Sequence, residues 1–154
     1  MLDALKQLSE SDKPKAGSNE DKFQRNVGGC VKLEGKVVFK SKNGDVSISV
    51  DQSFTIDGKT YLVEVDSANM AKLLVGQYTL LCALNPDDVD RYVFLVVHYY
   101  KGYNPDRTMN NLREINRLVF KDKGMKFLVI HASQFAESGE TFLELIKPVP
   151  AQCA

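Results

Sequence analysis

Residues 46–78 read VSISVDQSFTIDGKTYLVEVDSANMAKLLVGQY. Val46 to Asp51 alternates apolar and polar side chains, Asp57-Gly58 is a turn signal, and Thr60 to Asp66 is a second, more apolar strand. Ser67, Ala68 and Asn69 then open a helix that closes at Asn85-Pro86, because the residue before a proline is pushed out of the helical region. Strand, turn, strand and helix thus follow one another. Asp51 ends the first strand, and Glu64 and Asp66 interrupt the second. Side chains two apart on a strand point to one face, so Glu64 and Asp66 are expected to be neighbours. Like charges held that close repel, and partial burial adds a desolvation cost. A cation or a shared proton would relieve it.

On the upstream side, residues 31–41 are predicted to form a strand bent at Gly35, joined to the Val46 strand through Asn43-Gly44, a strong two-residue hairpin signal. Earlier still, Ser18 or Asn19 is expected to cap a helix that runs to about Val27 and stops at Gly28-Gly29. Phe23 and Val27, four apart, would face the core, with Glu20 at the inner edge of the same face. Residues 1–17 read as a flexible arm or short helix, the first ten being amphipathic through Leu2, Leu5 and Leu8.

On the downstream side, Tyr92 to Tyr100 is a near-continuous apolar strand of the kind buried in the middle of a sheet. A helix is predicted over 106–122, with Met109, Leu112, Ile115, Leu118 and Val119 on its inner stripe. Lys126 to His131 is another buried strand, Thr141 to Ile146 an amphipathic segment, and 148–154 a polar tail. The order predicts an α/β protein, a mixed central sheet flanked by helices, with a single domain over 18–147.

Composition narrows the function classes. The 154 residues suffice for one real core, and 44% hydrophobic with 26% charged residues is a globular balance. Twenty basic and twenty acidic side chains cancel, so a strongly cationic coat is excluded and any basic surface must be local. Cys30, Cys82 and Cys153 show no metal-ligand spacing and read as reduced thiols. The polar N-terminus does not suit a signal peptide, and no apolar run reaches membrane-spanning length. A soluble, cytoplasmic protein with no membrane partner is the expectation. There is no glycine-rich phosphate loop, no G-x-S-x-G elbow and no recognisable Cys-His arrangement. His98 and His131 each end a buried strand without a third zinc-like ligand, and read as packing or hydrogen-bonding residues.

A helix with an early acid, a β-meander with aspartate closing its second strand, and E-x-[charged] on the third resembles the PD-(D/E)XK (restriction-endonuclease-like) nuclease superfamily. The matching residues are Glu20, Val50-Asp51 and Glu64-Val65-Asp66. The resemblance covers roughly residues 18–100 and implies an α-β-β-β-α-β core with an added α-β. It implies a metal-dependent endonuclease of restriction or junction type that hydrolyses DNA, using Mg²⁺ or Mn²⁺ and often working as a homodimer. Carried over, Asp51, Glu64 and the backbone carbonyl of Val65 hold the metal, and Glu20 touches it directly or through water.

One position departs from the pattern. Asp66 stands where the family usually has lysine, so it is expected to act as an additional ligand or water positioner, with Lys72 on the following helix as the charge stabiliser. Gln77, with Tyr78, resembles the polar pair that some members present from that helix. Lys101, Arg107, Arg113, Arg117 and Gln77 are candidate nucleic-acid contacts, Arg113 and Arg117 sharing a helical face. The alternative is a non-catalytic domain of this type that binds nucleic acid or a protein partner. The bland readings are a strand end for Asp51, a solvated strand face for Glu64 and Asp66, a helix-terminal charge for Glu20 and a solvent-facing Lys72.

Overall fold

The structure is a computed structural model that describes residues 17–135 and 138–147. The amphipathic reading of residues 1–10, most of the predicted arm, and the 148–154 tail lie outside the described residues. Among the described residues, four α-helices flank the strands: α1 (Ser18–Val27), α2 (Ala71–Leu84), α3 (Pro105–Leu118) and α4 (Gly139–Ile146). Among the described residues, none is long and apolar enough to cross a membrane.

The described residues form six strands in two sheets. β1 (Val37–Lys40) and β2 (Ser47–Val50) make an antiparallel hairpin. β3 (Gln52–Ile56), β4 (Lys59–Asp66), β5 (Tyr92–His98) and β6 (Lys126–His131) make a four-stranded sheet in that order. β3 runs antiparallel to β4, while β4, β5 and β6 are parallel. The protein is therefore mixed α/β. The helices sit on both faces of the main sheet, since Phe23, Val27, Phe142 and Ile146 pack against Val63, Val65, Leu95 and Val97. Leu74, Tyr78, Leu81 and Leu112 pack on the opposite face with Leu62, Phe94 and Val96.

The strand of residues 46–56 departs from expectation. The sequence pattern predicts no strand over 52–56 and does predict one over 31–36. Instead the chain changes sheets at Asp51, so β2 pairs with β1 and β3 pairs with β4. Asp51 itself supplies the reason. Continuing the β3–β4 register would bring Val65 opposite Val50, but the Asp51 Oδ2 accepts the Val65 N–H at 2.9 Å in place of a ladder bond. β1 begins only at Val37, after a left-handed bend at Gly35 (φ 93°) that needs a residue without a Cβ.

Helix boundaries differ less. Gly17 (φ 82°), rather than Ser18 or Asn19, precedes α1, and its carbonyl accepts the Asp21 N–H. Phe23 and Val27 are fully buried as expected. α3 stops at Leu118 instead of 122, and Leu118 and Val119 are more than half exposed. Thr108 and Asn116 take inner positions in their place, Asn116 because its Oδ1 receives the Gly124 N–H at 2.8 Å as the chain turns into β6. β5 ends at His98 rather than Tyr100.

Candidate active site

β4 carries the centre of the site. Its odd positions Tyr61, Val63 and Val65 face the α1 and α4 side, so Glu64 faces α2. There Gln77 of α2 donates its Nε2 to the Glu64 Oε2 at 2.8 Å and to the Ser49 carbonyl of β2 at 2.9 Å. One amide thus ties helix, hairpin and acid together. Burial pushes the Glu64 carboxyl up to about 7, and the nearby Asp51 charge adds to the rise, although the bond from Gln77 opposes it.

Asp51 reaches the same place from the bend between β2 and β3. Its bond from the Val65 N–H fixes the carboxylate against β4. On a strand the N–H and C=O of one residue point to the same edge, so the Val65 carbonyl also lies on the Asp51 side. Glu20 completes the group from the first turn of α1, which is anchored by Asn19 Nδ2 donating to Ser67 Oγ at 2.9 Å. The Glu20 carboxyl is raised by burial, then by the charge of Asp51 and a hydrogen bond with it. Lys36 acts in the other direction and lowers it.

Lys36 is the residue that sequence reasoning missed, and a signal for it existed. The Asn43-Gly44 turn centres the hairpin, and the register it sets pairs Val37 with Val50, so that Lys36 continues opposite Asp51. An open cleft of about 470 Å³ lies beside the acids, lined by Lys36, Val38, Ser47, Ser49 and Ile48 of the hairpin and by Glu64, Leu73 and Gln77.

Asp66 does not join this group. Its Oδ2 lies 2.8 Å from Nδ1 of the fully buried His98, its register partner on β5. His98 Nε2 lies 2.9 Å from Thr108 Oγ1, which in turn is 2.8 Å from the Tyr103 hydroxyl, and the His98 and Tyr103 rings pack at a 30° tilt with centroids 4.1 Å apart. Asp66 is thus engaged with His98, its neighbour on β5, whereas it was expected at the metal as an additional ligand or water positioner.

Lys72 is exposed and also turned aside. It lines a separate cavity with Asn69, Met70, Leu73 and Arg107, whereas Gln77, five residues on and so on another face of α2, meets Glu64. Arg107 lies over the Tyr103 ring, 5.6 Å from its centroid. Arg113 donates to Asn110 at 3.2 Å and Arg117 to Glu114 at 2.6 Å, both on the exposed face of α3. Lys101 is exposed in the loop before α3 and lines a cavity with His131. His131 bonds Ser133 and the Tyr100 carbonyl, as expected of a hydrogen-bonding histidine.

Among the described residues, no three His, Cys, Asp or Glu side chains are closed around a common metal-sized point. The donor set nevertheless fits a hard cation: Asp51, Glu64 and the Val65 carbonyl offer oxygen only, and a magnesium site needs few protein ligands because the ion keeps several waters. No protein-family model matches the chain, and no curated protein matches it. Fold and site define a class, a mixed α/β protein with a carboxylate cluster where a hairpin, a sheet and two helices meet.

Proposed function

We propose that the protein is a divalent-cation-dependent endonuclease that hydrolyses DNA phosphodiester bonds, a PD-(D/E)XK-type variant with aspartate in place of the usual lysine. One observation carries the reading: Glu20 and Glu64 both feel the charge of Asp51, burial and that repulsion raise both carboxyls, and Glu64 lines an open cleft. Repelling carboxylates that are held rather than released call for a cation.

Asp51 and Glu64 would hold Mg²⁺ or Mn²⁺ with the Val65 carbonyl, and Glu20 stands beside Asp51. The ion, when bound, supplies Lewis-acid polarisation of the phosphate and a more acidic water. The chain's own residues do the rest. The Val65 N–H and the Gln77 amide keep Asp51 and Glu64 from swinging. Glu64, titrating near neutrality, releases its proton as metal affinity rises with pH. Lys36, just before β1 and near Glu20, brings the positive charge that position 66 lacks.

The test is cleavage of plasmid and branched DNA with Mg²⁺ or Mn²⁺ by wild type, Asp51→Ala and Glu64→Ala, each shown folded by circular dichroism. Equal cleavage by all three sinks the reading. A second reading, a non-catalytic nucleic-acid-binding or protein-binding domain, is favoured by the commitment of Asp66 to His98. Calorimetry separates the two, because the non-catalytic reading requires no Mg²⁺ or Mn²⁺ binding at millimolar concentration.

A further inference from the structure

The β1–β2 hairpin has two unlike faces. Val37, Phe39, Ile48 and Val50 turn inward onto the core, with Phe39 edge-on to Tyr92 at 5.5 Å. The other face alternates with it. In the pairing register Val38 stands opposite Ser49 and Lys40 opposite Ser47, and Lys36 continues the row toward Asp51. That outer face therefore reads lysine, valine, lysine on one strand and small hydroxyls on the other. It runs directly to the acids, because the cleft at its foot includes Glu64 and Gln77.

Its composition is specific enough to select an occupant. Lys36, just before β1, and Lys40, its last residue, are exposed, and they stand four residues, or about 13 Å, apart in extended chain. Val38 is 50% exposed and Leu73, across the cleft on α2, is 63% exposed. Two unpaired apolar side chains between two cations, edged by hydroxyls and an amide, match an unstacked base flanked by phosphates. The open cleft of about 470 Å³ lies in the range of small-molecule sites, roughly 300–1,000 Å³, and so has room for a nucleotide.

Resting on the nuclease reading above, we infer that the outer face of the hairpin carries one unpaired strand of nucleic acid to the acid cluster, with a single base lodged between Val38 and Leu73. The substrate class is accordingly single-stranded or splayed DNA at the point of cutting, and the arginines of α3 are not the strand's track.

Fluorescence anisotropy with Ca²⁺ in place of Mg²⁺ tests this, using a labelled single-stranded 20-mer, its blunt duplex and a duplex with splayed ends. Wild type is expected to bind the first and third about 10-fold tighter than the second. Val38→Asp and Lys40→Glu, both at exposed positions, are expected to weaken single-strand binding about 10-fold. Lys40→Glu is also expected to lower the salt slope of binding by about 0.7, because one phosphate is no longer neutralised. Arg113→Glu with Arg117→Glu is expected to change nothing. Equal affinity for blunt duplex and single strand, undiminished binding by both hairpin variants, or weakening confined to the α3 variants overturns the inference. Hydrolysis of bis(p-nitrophenyl) phosphate with Mn²⁺, a diester without bases or neighbouring phosphates, keeps the two questions apart. Wild type is expected to hydrolyse it. Its absence in wild type removes the nuclease reading, while the binding comparison still decides the track.

Discussion

Glu64 and Asp66 sit two residues apart on one strand and one face, yet they live in opposite electrostatic worlds. Glu64 meets two further acids and is held there by Gln77, with its carboxyl pushed up to about 7. Asp66 meets His98, and behind it Thr108 and Tyr103, in a chain of side chains that satisfies both ring nitrogens of a buried histidine. The first region stores repulsion and the second removes it. A protein selected for stability alone has little reason to build the first, since a single amide substitution would ease it. The contrast separates the carboxylates that crowd one another from the one that holds β4, β5 and α3 together.

That contrast can be broken most sharply at Asp51. Asp51→Ala is expected to lower metal-dependent hydrolysis by more than about 100-fold, measured on DNA cleavage rate, because a ligand and the anchor of the Val65 N–H go together. Glu64→Gln probes the stored repulsion. The folded-state carboxyl titrates near 7 against an ordinary 4.5, so its contribution to stability is complete below about pH 4.5 and is lost as pH rises through 7. Metal-free wild type is therefore expected to lose stability between those values. Glu64→Gln is expected to flatten the profile and to be more stable at pH 8 by up to about 3 kcal/mol, read from urea midpoints.

Asp66→Ala addresses the other region. It leaves His98 Nδ1 without its acceptor in a fully buried place, and is expected to cost about 1–3 kcal/mol while the folded fraction keeps its rate within a few fold. The opposite pattern, with stability kept and cleavage lost, would return Asp66 to the metal. Lys36→Ala is expected to slow cleavage about 10-fold, consistent with one charge-stabilising interaction, and Lys72→Ala to change it less than about 2-fold. A larger effect at Lys72 than at Lys36 reverses the assignment of the basic residue.

Much of this is legible from local pattern. Helical spacing alone puts Phe23 and Val27 in the core, and the acids on the 46–66 stretch stand out by their intrusion into apolar strands. The α/β order follows from alternating helix and strand signals. Three things are not legible, each for a physical reason. The change of sheet at Asp51 leaves no mark in the apolar alternation, because a side-chain carboxylate does the work of a backbone acceptor. The partner of Asp66 depends on the parallel register of β4 with β5, which spans 32 residues and has no local determinant. The exposed Leu118 and Val119 continue the helical apolar period, yet they stand at the last turn and cap of α3, where Asn116 is serving the following turn. Lys36 is different, since the Asn43-Gly44 turn already fixes its position across from Asp51.

The parallel arrangement of β4, β5 and β6 has a practical consequence. Their carboxyl ends bear Glu64, Asp66, His98 and His131, while their amino ends begin at Lys59, Tyr92 and Lys126. In open α/β sheets ligands gather at the carboxyl ends. The opposite rim, including the surface turn at Lys121 and Asp122, is thus the place to graft a fluorophore, a linker or an immobilising tag while leaving the working end of the molecule in free solution.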